Sequence, residues 1–195
     1  MNSSENTVER LVVIGVSAGG LKALKALLQN LSKNYHFPTL INQHLPQDRT
    51  SNLATILQTW THLQVKEADD KELILNNSVY VAPPNYHLLV ERDHTLSLSA
   101  DDPENYARPS ADVMFESAAE VFQDKAIGII LTGASDDGAR GLLRIKERGG
   151  LIMVQSLEEA EFKTMPSSAI TLTKTKNILR LDEIAKALSR IGINE

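Results

Sequence analysis

Three short segments of this chain carry side chains able to perform acyl transfer. The first, Gly15-Val16-Ser17-Ala18-Gly19, has the G-x-S-x-G spacing of a nucleophile elbow. Small residues flanking the serine permit a sharp turn that exposes Oγ, and a helix N-terminus beyond the turn favours developing negative charge. The five-residue pattern is short, however. A glycine-rich turn using serine for capping or phosphate binding would look the same.

A serine hydroxyl is a poor nucleophile at neutral pH and needs a base. The chain has five histidines: His36, His44, His62, His87 and His94. His36 precedes an apolar strand, His62 follows a helix and His94 falls in a hairpin turn, so these three read as solvated. His87 stands beside Leu88-Leu89-Val90 and reads as a packed or hydrogen-bonded core histidine. His44 ends an apolar run, Thr39-Leu40-Ile41, and enters a loop at Leu45-Pro46, where a general base would sit. The third requirement is a carboxylate that fixes the imidazole tautomer and stabilises the imidazolium. Asp136 and Asp137 both lie in the loop Thr132 to Gly138 after an apolar strand. Spacing does not choose between them, and either would also suit a helix-start cap.

The elements that must position these groups follow from the pattern. Leu11-Val12-Val13-Ile14 is a continuous β-rich run, expected to be buried on both faces. After the glycine turn, Leu21, Leu24, Leu27, Leu28 and Leu31 recur at helical spacing. A second strand–helix unit runs from Thr39 to about Trp60, its helix expected from about Thr50. The middle of the chain reads as short strands at Leu73-Ile74-Leu75 and Val79-Tyr80-Val81, with a hairpin around Arg92-Asp93-His94. Ser110 is the expected N-cap of a helix to about Phe122. Ala126 to Leu131 is an apolar strand, and Ala139 to Arg148 a helix closed by Gly149-Gly150. Leu151-Ile152-Met153-Val154 is a further strand, and Asp182 is the expected cap of a final helix. Buried strands alternating with helices imply an α/β fold, doubly wound and three-layered, with a mostly parallel sheet and an added β-hairpin. In such folds ligands gather at the carboxyl ends of strands. Ser17, His44 and the Asp136-Asp137 pair all leave strands of this kind, which gives residues far apart in sequence a reason to meet.

Composition narrows the partners. The 195 residues are 42% hydrophobic and 23% charged, ordinary for a globular protein. The formal net charge is −5 and no basic stripe is present, which argues against nucleic acid as a partner. No run of about 18 apolar residues offers a membrane span. Cysteine is absent, excluding disulfides and thiolate chemistry and fitting a reducing cytoplasm. Residues 1–9 read as a flexible tail without a secretory leader, and residues 10–193 as one domain. Two motif-based alternatives fit poorly. An α/β-hydrolase would run nucleophile, acid, histidine, whereas here the histidine comes second. A dinucleotide site needs glycine where Ser17 stands.

Read together, five segments resemble the catalytic domain of the CheB-type chemoreceptor methylesterases. They are Ile14 to Gly20, Gln43-His44-Leu45-Pro46, Val81 to Leu88, Arg108-Pro109-Ser110-Ala111-Asp112-Val113-Met114-Phe115, and Leu131 to Ala139. The resemblance implies a Ser-His-Asp triad of Ser17, His44 and Asp137, since the family's aspartate immediately precedes a Gly-Ala pair. It implies hydrolysis of glutamyl γ-methyl esters on the cytoplasmic helices of chemoreceptors, releasing methanol, with glutamine deamidation as a second reaction and no metal or cofactor. Oxyanion donors are expected among the backbone groups of Ala18, Gly19, Ala134 and Ser135. The location implied is cytoplasmic, with no direct membrane insertion. Full-length members carry an N-terminal receiver domain; with the first strand starting at Leu11, none is expected here. Ala18, Ser135 and Phe162-Lys163-Thr164-Met165-Pro166 depart from the family's usual residues. Two other readings are a hydrolase of another ester or amide, and a non-catalytic module that binds receptors or signalling partners.

Overall fold

A computed structural model of the chain describes residues 8–44 and 51–191. Residues 1–7 of the expected tail, Leu45-Pro46, the expected helix start at Thr50 and the end of the expected domain at 192–193 lie outside them. Val8, 7% exposed, already packs into the core.

The apolar run after Val8 forms β1 (Leu11–Val16), buried along its whole length, followed by α1 (Gly20–Gln29). Next come β2 (Thr39–Gln43), α2 (Leu53–Gln58), β3 (Gln64–Glu67) and β4 (Ser78–Val81). An antiparallel hairpin, β5 (His87–Val90) and β6 (Leu96–Ser99), leads to α3 (Ala111–Phe122). The chain ends with β7 (Ala126–Ile130), α4 (Ala139–Glu147), β8 (Leu151–Gln155), α5 (Thr164–Thr173), β9 (Ile178–Leu179) and α6 (Leu181–Ile191). Among the described residues, seven strands form one sheet in the order β3-β4-β2-β1-β7-β8-β9, and every pairing in it is parallel. The fold is thus the doubly wound, three-layer α/β arrangement expected from alternating apolar strands and helices, with the hairpin beside it.

The strand period of two sorts side chains between the layers. Leu11 and Val13 of β1 join a core with α3, α4, α5 and the hairpin. Val12, Ile14 and Val16 join a second core with α1, α2 and α6. The helix after β1 lies on one face of the sheet and the helix after β7 on the other. The loops leaving these adjacent strands therefore diverge and leave a crevice at their carboxyl ends, the topological switch point. Gly15 lets α3 approach β1 closely, because a Cβ there would lie 3.0 Å from Ala111 Cβ and 3.3 Å from Phe115 Cζ.

Several expectations are corrected. Leu73-Ile74-Leu75 is not a strand; Leu73 makes only an isolated bridge to Thr95, because Leu75 N–H is taken by the Tyr80 hydroxyl at 3.0 Å and Ile74 N–H by His94 O at 3.0 Å. The second helix is shorter than expected and begins at Leu53. Strands β3 and β9 and helix α5 carry too little apolar periodicity to stand out in the sequence: β3 (Gln-Val-Lys-Glu) is a half-exposed sheet edge. Asp182 does not cap the last helix. It lies within the first turn of α6 and pairs with Lys186 at 2.8 Å, while the Glu183 carboxylate accepts the Arg180 N–H at 2.8 Å. Ser110 occupies the N-cap position of α3, but its hydroxyl makes no cap bond to that helix.

Phe115 is fully buried between α3, β1 and α4. Phe115→Ala is expected to cost about 3–5 kcal/mol through lost burial and the cavity left behind, measured as a drop in the urea midpoint at unchanged m-value.

Candidate active site

Parallel pairing brings the first two candidate residues together. Val16 lies opposite Gln43 in the β1–β2 register, and His44 N–H donates to Val16 O at 3.2 Å, so the pairing runs one step beyond β2. Ser17 and His44 are therefore the next pair, with Cα atoms about 5 Å apart. Continuing the strand alternation places both toward α3: Leu11, Val13, Gly15, Ser17 on one strand and Leu40, Asn42, His44 on the other. On the other side of β1, Ser17 N–H donates to Thr132 O at 3.0 Å, which fixes the start of the loop carrying Asp136 and Asp137.

The turn into α1 pivots on Gly19 at φ 77°. Ser17 O accepts Gly20 N–H at 2.9 Å and Gln43 Nε2 at 3.0 Å. The same Gln43 nitrogen donates to His44 O at 3.1 Å. Gln43 thus clamps the backbone of the serine to that of the histidine. Thr132 Oγ1 donates to Ala18 O at 3.0 Å and accepts Phe162 N–H at 2.8 Å, tying the serine turn to the loop before α5. Gly133 must lack a side chain: a Cβ would lie 2.0 Å from Met165 Sδ and 3.0 Å from Ser17 Cβ. The Ser17 side chain and the β7–α4 loop are packed directly against one another.

The two aspartates are in opposite environments. Asp136 is exposed, and its carbonyl accepts Ala139 N–H at the start of α4. Asp137 is 1% exposed. Its Oδ2 accepts His44 Nε2 at 2.7 Å and Ala111 N–H at 2.6 Å. Its Oδ1 accepts the Ser110 hydroxyl at 2.7 Å and Asp112 N–H at 3.1 Å. Asp137 therefore caps α3 from outside the helix, where backbone N–H groups are unpaired and the helix dipole favours a negative charge. Burial pushes its pKa up, but the bonds from His44, Ser110 and Ala111 outweigh that and hold the carboxyl below its usual value. An ionised carboxylate only accepts, so His44 Nε2 carries a hydrogen, which in the neutral imidazole leaves the lone pair on Nδ1. Among the described residues the Ser17 hydroxyl makes no hydrogen bond to His44. Such bonds are often long before substrate binds.

The other histidines lie elsewhere. His87 is 2% exposed and accepts Ser110 N–H on Nδ1 at 3.2 Å while Nε2 meets Asp102 O at 3.2 Å, the hydrogen-bonded core role expected. His62 is exposed; His36 and His94 are half-buried, the former packed on Phe37 and the latter stacked on Phe122. Of the expected oxyanion donors, the backbone N–H groups of Ala18, Gly19, Ala134 and Ser135 donate to no carbonyl among the described residues. Gly133 N–H, by contrast, is committed to Phe162 O at 3.0 Å. Sequence reading missed the parts played by Gln43, Ser110 and Thr132. The signal for Gln43 was its place beside His44; the other two need the tertiary arrangement to be seen.

A parallel switch-point crevice holding a serine at a strand-to-helix turn beside an imidazole on a buried carboxylate defines a class, the doubly wound α/β hydrolases. Within that class, residues 12–188 match the CheB methylesterase family, and the chain belongs to it. A Leptospira interrogans protein, provisionally named a protein-glutamate methylesterase/protein-glutamine glutaminase, is 48% identical over 94% of this chain and 95% of its own length. A Trichodesmium erythraeum protein-glutamate methylesterase/protein-glutamine glutaminase is 34% identical over 92% of this chain. This chain spans about half of the latter, 52%. The crystal structure of the Thermotoga maritima CheB methylesterase catalytic domain superposes with a TM-score of 0.90 at 33% identity, covering 95% of this chain and all of that one.

Because Asp137 titrates below its usual value in the folded chain, the stability it adds is fully present above the ordinary aspartate range, about 3.9. It is lost as pH falls through the lower native value. Asp137→Asn is expected to unfold at lower urea than wild type at pH 7, with the gap closing below about pH 4.

Proposed function

We propose that this chain hydrolyses glutamyl γ-methyl esters on the cytoplasmic helices of chemoreceptors, with Ser17 as nucleophile, His44 as base and Asp137 as the carboxylate that orients it. The observation carrying this reading is the 2.7 Å His44–Asp137 bond set beside Ser17 by strand register. His44 Nδ1 takes the Ser17 proton as Oγ attacks the ester carbonyl. Charge collecting on the carbonyl oxygen is met by backbone N–H groups of the two loops, from the set Ala18, Gly19, Ala134 and Ser135. Collapse of the tetrahedral intermediate breaks the bond to the methoxy oxygen, which leaves as methanol with the proton from His44. Water then gives a proton to His44 and attacks the acyl-enzyme, and the same proton returns to Ser17 as glutamate is released. A glutamine side chain follows the same course with ammonia leaving, consistent with the paired activities in the names of the relatives. No step calls for a metal or cofactor. Residues 10–193 act as one catalytic domain in the cytoplasm, where the receptor helices are reached. No helix among the described residues is long and apolar enough to cross a membrane.

A fluorophosphonate probe is expected to label wild-type protein and not Ser17→Ala, read by mass spectrometry. Wild type releases methanol from methylated receptor membranes. Loss of labelling together with absent methanol release would favour a binding module; activity confined to small esters would favour another substrate. Asp137→Asn is expected to lower kcat by about 10³–10⁴, whereas exposed Asp136→Asn stays within about twofold. Equal losses would refute the assignment of the carboxylate.

A further inference from the structure

Residues 104–107 form a two-residue β-turn whose tip is built against its own backbone preference. Glu104 and Ala107 exchange both backbone hydrogen bonds, at 3.1 and 2.9 Å. Asn105 and Tyr106 between them have φ 50° and 61°, the left-handed pair of a type I′ turn. Asparagine suits the first of these positions, but the second ordinarily takes glycine, and a tyrosine there is strained. Nothing inside the molecule offsets that cost, because Tyr106 is fully exposed. The turn itself is firmly held. Asn105 Nδ2 donates to Asp112 Oδ2 at 2.9 Å, and Arg140 bridges the Glu104 and Asp112 carboxylates. Asp112 N–H in turn donates to Asp137. The aromatic tip is therefore two hydrogen bonds from the buried carboxylate of the active site. An open groove of about 670 Å³ borders the turn, and its lining includes Asn105, Asp112, Asp136 (the neighbour of Asp137), Arg140 and residues of α5 such as Ser167 and Thr171.

We infer that Tyr106 is a docking anchor for the polypeptide substrate, contacting the protein surface around the modified glutamate while its side chain enters the site. This rests on the esterase reading above. A glutamyl side chain is short, so a protein that delivers its ester to Ser17 must lay its main chain over the ground beside Asp136 and Asp137. A groove of mixed lining, with hydroxyls and charged groups beside apolar Ala139 and Leu172, suits the flank of an amphipathic helix. A rigidly presented tyrosine at the rim adds a large amphipathic contact at low conformational cost. The strain is retained because the ring is used in the complex, not in the fold.

The test compares wild type, Tyr106→Ala and Tyr106→Gly in three measurements: methanol release from methylated receptor membranes, hydrolysis of p-nitrophenyl acetate, and thermal midpoint. KM for receptor is expected to rise about tenfold in both variants, with kcat for receptor and turnover of the small ester within about twofold of wild type. Tyr106→Gly is expected to melt no lower than wild type, since glycine accepts the left-handed conformation. Unchanged receptor KM in an active enzyme overturns the inference alone and hands the tip to a different partner. Equal losses on both substrates, or a lowered midpoint for Tyr106→Gly, also overturn it, by showing that the ring supports the site or the fold. Absence of methanol release by wild type removes the esterase reading and this inference together.

Discussion

The Asp137 carboxylate holds the active end of this molecule together. Its two oxygens accept from Ala111 N–H, Asp112 N–H, the Ser110 hydroxyl and His44 Nε2, so one buried charge is shared between a helix terminus and an imidazole. The helix gains a cap that its own Ser110 does not supply. The imidazole gains a fixed orientation and a fixed tautomer. A buried carboxylate is costly unless its lone pairs are filled, and here the groups that fill them belong to β2, α3 and the β7–α4 loop. Taking away any one partner would loosen the others, because burial without those bonds would drive the carboxyl toward its neutral form.

A second carboxylate borders the first. Asp112 is also buried, and burial, with the nearby Asp137 charge adding to it, pushes its pKa up against the pull of Gly141 N–H and Arg140. Two negative groups at one helix start would repel. The positive end of α3 and the Arg140 guanidinium offset this, and Arg140 carries the link outward to Glu104 and the turn at Asn105-Tyr106. Electrostatic order thus spreads from the buried Asp137 carboxylate to the exposed turn at Asn105-Tyr106.

Close packing supplies the other half of the design. Gly133 leaves room for Met165 and Ser17 at once, and Gln43 uses a single amide nitrogen to hold the carbonyls of Ser17 and His44. The backbones of the proposed nucleophile and base are thereby held to one another, while Asp137 orients the imidazole. For acyl transfer this is useful: position is fixed before reaction, and only a light hydroxyl need adjust.

By itself the sequence determined the strands of the sheet centre, the helices after them and the turn at Ser17. Each depends on local pattern: unbroken apolar runs for strands buried on both faces, helical spacing of leucines, and small residues where the chain reverses. Elements without such a pattern, β3, β9 and α5, stayed hidden, and Leu73-Leu75 read as a strand because apolar content alone does not reveal whether backbone groups find a sheet partner. His44 was legible as a strand-end residue. Between Asp136 and Asp137 spacing gave no choice; the family resemblance pointed to Asp137, and the physical ground for that choice is tertiary. Only the docking of α3 across the sheet buries one of two adjacent carboxylates against unpaired helix N–H groups and leaves the other in water. The same docking decides which imidazole nitrogen is occupied, since hydrogen-bond partners drawn from β2, α3 and the β7–α4 loop meet only when the layers close.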